Sequence, residues 1–299
     1  MLDWRRRKPC PVAWSGLVEF VTRNHGGVNS VSTRMLLLGL VLFMWLAGPG
    51  HAVYAFNIVV AFRGGLSPTQ QAVFSDAEAF WESKIDGYLP GIVQNTVVIE
   101  ARGMGIDGEG MILGQAGPRS RTKQGGFTIT VSGVMFFDTA DLDNLESGGQ
   151  LEEVILHEMG HVLGIGTLWS ANGVYSNGTG RYTGTNALAK YRSEFSQPDA
   201  TFIPVELGGS AGTFNTHWDE VDTGDVLTGI TDRFGRDMRD ELMTGWLDSP
   251  TFVSQTTLFS LVDIGFDVVP EPSGLVLMLG GFVLSRRLVL VQGRSLVSA

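Results

Sequence analysis

Two histidines four residues apart, His157 and His161, lie in a stretch whose apolar residues recur at helical spacing. Leu151, Val154, Ile155 and Val162 form the buried stripe of a helix expected over residues 150–163, with Gly164 placed to end it. Histidines at i and i+4 leave a helix about 40° apart around its axis, so both imidazoles are able to share one metal ion. Glu158 stands between them, near enough to act on water polarised by that metal. A chance match is the competing explanation for so short a motif. Helical periodicity and the terminal glycine weigh against it.

Such a centre needs further ligands, and the chain offers few. It has 5 histidines; His25 and His51 fall in an N-terminal stretch expected to be removed, which leaves His217 in Thr216-His217-Trp218-Asp219-Glu220. The single cysteine, Cys10, is also N-terminal, so the mature chain has no disulfide and no thiolate ligand. Any metal must be held by nitrogen and oxygen. The whole chain has 21 basic and 31 acidic residues, a net charge of −10, and the acidity is concentrated in residues 56–269. That balance excludes nucleic acid as a partner. It leaves carboxylates for calcium as a second candidate cofactor, although most are expected to be solvated surface.

Both ends carry targeting patterns. Residues 35–47 form a short apolar run after Arg34, followed by small residues at Gly48, Gly50, Ala52 and Ala55. This is the pattern of an export signal, and the run is too short for a comfortable membrane span. Residues 1–34, with Arg5-Arg6-Arg7-Lys8, are either a long basic extension or the product of a mis-assigned start. At the other end, Val269-Pro270-Glu271-Pro272-Ser273 precedes apolar residues 275–284 and then Arg286-Arg287. This resembles the PEP-CTERM sorting tail of bacterial proteins, which implies transient membrane anchoring and removal by an exosortase-type enzyme. An apolar run of ten residues is short for that role.

Between the ends, residues 56–62 are rich in β-branched and aromatic residues and predict a strand closed by Gly64-Gly65. Ser67-Pro68-Thr69-Gln70 predicts a helix start, with a capping serine, an N1 proline and a glutamine three residues on. Val73, Phe74, Ala77, Phe80, Trp81 and Ile85 give that helix its core face. Residues 95–101 and 126–137 predict two more strands. Asp138, Asp141 and Asp143 follow, and the preferred reading is a turn with helix-capping carboxylates rather than a calcium loop. Residues 187–195 predict a short helix inside a Gly-, Ser-, Thr- and Asn-rich excursion.

Taken together, His157 to Trp169 (HEMGHVLGIGTLW), THWDE around His217 and ELMTGWL around Met243 resemble the leishmanolysin family of metzincin zinc peptidases. GQAGP at 114–118, FDTADL at 137–142 and SLVDIGFDV at 260–268 resemble segments of its bacterial members. Compact metzincins have a third histidine where this chain has Thr167; in leishmanolysins an insertion delays it, and His217 fits that pattern. The resemblance implies zinc on His157, His161 and His217, water in the fourth position, Glu158 as general base and then acid, and Met243 in a turn beneath the metal.

The fold expected is α+β and metzincin-like. An N-terminal twisted sheet should carry two helices, the second bearing the histidines, and a loop-rich C-terminal subdomain should bring in His217 and Met243. By fold analogy, the strand at 126–137 is the cleft edge for a protein or peptide substrate. Trp218 either walls the pocket or packs, and Asp219 and Glu220 either orient His217 or bind calcium. The expected organisation is residues 1–34 extension, 35–55 signal peptide, 56–268 metallopeptidase domain and 269–299 sorting tail. The expected location is the bacterial envelope, cell surface or exterior. Two other functions fit the motifs: a catalytically silent zinc protein of the surface or matrix, and a zinc hydrolase of a non-peptide amide or ester.

Overall fold

Period-2 burial along the strands and period-3.6 burial along the helices together build a six-stranded sheet with helices on its inner face, beside two two-stranded sheets. The computed structural model describes residues 2–6, 56–209, 212–220 and 227–269. The expected signal and sorting tail lie outside these residues. Strand β1 (Leu2–Arg6) is followed by β2 (Asn57–Phe62), helix α1 (Pro68–Lys84), β3 (Ile85–Tyr88), β4 (Thr96–Met104), β5 (Ile112–Gln124) and β6 (Phe127–Asp138). Next come α2 (Leu142–Ser147), α3 (Leu151–Leu163), β7 (Arg181–Tyr182), α4 (Thr185–Glu194) and β8 (Ile203–Pro204). A 3-10 turn (Met238–Asp240), β9 (Trp246–Leu247), α5 (Gln255–Val262) and β10 (Phe266–Val268) complete the order. The fold is α+β with a mixed sheet.

The helix α1 starts as its sequence dictates. Ser67 accepts from the Gln70 amide, and the Gln70 side chain accepts from the Ser67 amide, a reciprocal cap before Pro68. It ends at Lys84, one residue short of the expected limit, because Ile85 is drawn into β3, which pairs with β10. That pairing closes the body near its two ends, and the apolar core runs from Phe56 to Val268.

The main sheet has the order β2-β4-β6-β5-β1-β9. The strands β2, β4 and β6 are parallel, β5 is antiparallel to β6, and β1 is antiparallel to β5. Along β4, Val97, Ile99, Ala101 and Gly103 face inward while alternate residues face out, the pattern of a sheet covered on one side. The inward side chains meet Phe74, Ala77 and Trp81 of α1 and Val154, Ile155 and Met159 of α3 in a single core. Trp81 is fully buried, and its indole N–H donates to the Leu156 carbonyl at 3.1 Å, tying α1 to α3. Removing such a side chain costs about 3–5 kcal/mol.

Two expectations need correction. The strand at 126–137 is not the cleft edge: β6 lies inside the sheet, and β5 runs along its cleft side. The histidine helix is also the third in the N-terminal half rather than the second, because residues after the aspartate turn wind into α2. In that turn the carboxylates serve the backbone but do not cap α2. Asp138 accepts from the amides of Ile106, Asp107, Gly108 and Ala140, and Asp141 accepts from Gly110, which pins the β4–β5 loop. Among the described residues, no helix is long and apolar enough to cross a membrane.

Candidate metal centre

The residues that face the cleft are supplied by three elements whose positions follow from the packing above. Helix α3 carries His157, Glu158 and His161, all fully buried; Gly164 ends it with a φ of 127°, and its amide donates to Gly160. The chain then leaves on its excursion through β7, α4 and β8. It returns at residues 213–220, and the amide of Trp218 donates to the Met243 carbonyl at 3.0 Å. That bond joins the third histidine's segment to the turn containing Met243. His217 is thereby brought against α3, 56 residues along the chain from His161.

The three Nε2 atoms converge. They stand 2.9 Å (His157 to His161), 3.0 Å (His161 to His217) and 3.1 Å (His157 to His217) apart. On the far side of each ring, Nδ1 meets a backbone carbonyl: Leu242 at 2.6 Å for His157, Ile165 at 3.0 Å for His161 and Thr213 at 3.0 Å for His217. A carbonyl only accepts, so Nδ1 must carry the proton and each neutral ring turns its Nε2 lone pair inward.

Burial holds His157 and His161 well below the usual imidazole range. For His157 the neighbouring His161 and His217 add to the effect against the Leu242 carbonyl, and for His161 the His217 ring does so against the Ile165 carbonyl. Three lone pairs therefore face one another with no proton to separate them. A tetrahedral ion with Zn–N bonds of about 2.0–2.1 Å would set such nitrogens about 3.3 Å apart, a few tenths of an ångström wider than here. The group fits a metal ion. Among the described residues, it is also the group of His, Cys, Asp or Glu side chains close enough to do so.

Glu158 extends from α3 toward β5. Its carboxylate lies against Gly114, where a Cβ atom would stand 2.7 Å from Oε1, so a larger residue there would displace it. Below the histidines, Met243 is fully buried and packs under α3 at Gly160; a Cβ on Gly160 would lie 2.9 Å from the methionine sulfur. The glycine of the HEMGH motif is thus the point at which the turn approaches the helix.

Sequence reasoning missed the residues that hold this turn. Glu241 is fully buried and accepts from the Met243 amide (2.6 Å), the Ser254 amide and hydroxyl (2.9 Å each) and the Thr257 hydroxyl (2.6 Å). Burial raises its pKa against the pull of those donors. A carboxylate beside Leu242 and Met243 in an apolar segment was the available signal. Glu220 plays a similar part, accepting from the Gly245 amide at 2.8 Å. The orienting contacts of His217 come from the Thr213 carbonyl and, at 3.1 Å, the Thr216 hydroxyl. Trp218 packs: it is fully buried, stacks on Trp169 and donates to Thr257. Thr167 stands apart from the nitrogens, its hydroxyl donating to the His161 carbonyl at 2.7 Å.

Thus His157, His161 and His217 meet at one point, Glu158 lies beside two of them on the same helix, and Met243 lies beneath. No family model matches this chain, and no curated protein matches it either.

Proposed function

We propose that the chain is an exported zinc endopeptidase of the leishmanolysin-like metzincin type. The observation that carries this reading is the convergence of three Nε2 lone pairs, each fixed by a carbonyl at Nδ1, next to a buried glutamate on the same helix. His157, His161 and His217 would hold the ion through neutral imidazoles, an open three-nitrogen set of the kind that leaves room for water and substrate. Bound zinc supplies Lewis acidity at that point, acidifying water and polarising an amide carbonyl.

Glu158 takes the proton from water as its oxygen attacks the scissile carbonyl carbon, then delivers that proton to the departing amine nitrogen. The carbonyl partners of the three rings keep the lone pairs aimed inward, and the Met243 turn keeps the floor of the site in place. With residues 2–6, which belong to the extension expected to be removed, out of the way, the β5 edge would offer main-chain hydrogen bonds to an extended peptide. The export-signal and sorting-tail patterns support a location at the bacterial envelope, cell surface or exterior, with an exosortase-type enzyme acting on the tail.

Digestion of a broad peptide library, with and without a chelator, tests this. The expected result is internal cleavage that stops on chelation and returns with zinc. Absence of any cleavage by zinc-loaded protein would favour a silent zinc protein, and cleavage of esters or non-peptide amides alone would favour the other hydrolase class.

A further inference from the structure

One groove in the described protein begins beside the metal centre and is basic, although the body around it is strongly acidic. It has a volume of about 940 Å³ and runs from Thr216 and Thr167 across β5 onto the outer face of the sheet. Its floor is Val134 and Phe136, and its charged lining is Arg63, Arg102, Arg119 and Arg121, with Glu100 as the one acid. Four of the body's basic residues therefore gather on one surface.

Their commitments differ. Glu100 is bonded to Arg63 at 2.8 Å and to Arg119 at 2.6 Å, so one carboxylate is shared by two guanidiniums. These donors hold the exposed Glu100 carboxyl below its ordinary range, Arg63 foremost. Arg102 and Arg121 are exposed and have no carboxylate partner among the described residues. The groove thus keeps a net charge of +3, with two guanidiniums ready for planar, bidentate recognition of carboxylates.

We infer that this groove is a subsite for acidic side chains of a peptide, on the amino-terminal side of the bond that is cut. The inference rests on the peptidase reading for its location and on the arginines for its chemistry. The β5 edge takes residues 2–6 as an antiparallel strand, with Leu2 beside Ala116 and Arg5 beside Ile112. A substrate in the same sense, with its scissile bond at Glu158 beside Gly114, runs its amino-terminal residues along 116–121. On that course the side chains on the groove face meet Arg119 and Arg121 of β5 first, with Arg102 of β4 beyond β6. Elsewhere the negative body repels an acidic chain, so the groove both selects it and sets its position.

Binding tests this independently of turnover. A labelled peptide with Asp and Glu amino-terminal to its centre, and a counterpart with Asn and Gln, are titrated into zinc-loaded Glu158→Gln protein by fluorescence anisotropy. The acidic peptide should bind about tenfold tighter, equivalent to about 1.4 kcal/mol. The advantage should shrink with added salt and fall within about twofold in the Arg102→Ser/Arg121→Ser protein, whose thermal midpoint reports that it folds.

Equal binding of the two peptides would overturn the inference even if the wild-type enzyme cleaves both, and so would a preference unaffected by the double substitution. Preferential, arginine-dependent binding of the acidic peptide by a protein that hydrolyses no peptide would support the subsite and sink the peptidase reading instead.

Discussion

His217 is oriented by Thr213 and Thr216, both on its own segment, so truncating its ring removes one ligand while leaving α3 and its two histidines in place. His217→Ala should therefore lose bound zinc and hydrolysis together. Thr167→Ala should keep both and lose only the bond to the His161 carbonyl, about 1 kcal/mol of stability. Metal analysis and chemical denaturation read the two effects, and zinc retained at full occupancy in His217→Ala would be the wrong result.

Asp138 makes a different kind of prediction. Burial pushes its carboxyl up, but the amides of Ala140, Asp107, Gly108 and Ile106 outweigh that and hold it below the ordinary range. A depressed folded-state pKa stabilises the protein above the unfolded value, about 4, and this contribution is lost as pH falls through the lower folded value. Asp138→Asn should cost about 1–3 kcal/mol near neutrality, and the gap in thermal midpoint from wild type should close on acidification. A gap independent of pH would contradict the assignment. The meeting of His157, His161 and His217 was legible from residue type, the i, i+4 spacing and the family resemblance. Their carbonyl partners were not, because every residue has a carbonyl and only the tertiary fold decides which one meets a ring.

At the scale of elements, α1 and α3 were readable because capping chemistry and apolar periodicity agree along each. The longest strand was not. The β5 segment contains Gly114, Gly117, Pro118 and a polar run through Gln124, which locally favours a loop. It becomes a strand because β6 supplies antiparallel partners from Gly114 to Gln124. Without β5 in view, β6 reads as an edge, whereas it lies between β4 and β5, and β5 in turn pairs with β1. The Met243 turn is likewise a tertiary product, fixed by Glu241 and Glu220 rather than by its own propensity. Glu241→Ala would leave the Met243 and Ser254 amides and the Thr257 hydroxyl without their acceptor in the core, a loss expected to exceed about 3 kcal/mol. Glu241→Gln should cost less, about 1–3 kcal/mol, since it keeps one oxygen but turns a donor toward one N–H. Denaturant midpoints give the order, and two equally stable variants would argue against the peg.

Over the whole molecule, the sheet, α3 and the returning loop meet at one place, which has both a cation-seeking nitrogen trio and a carboxylate. The sequence predicted that a long detour must end near α3, since Thr167 cannot replace an imidazole. The route through β7, α4 and β8 depends on packing that no local pattern encodes. In the proposed reaction Glu158 moves the proton while the histidines hold the zinc. Peptide hydrolysis and zinc content measured together on Glu158→Gln test it most directly. About one zinc per chain is expected, as in the wild type, with the hydrolysis rate lower by about 10²–10⁴-fold. Hydrolysis at the wild-type rate with zinc in place would contradict it.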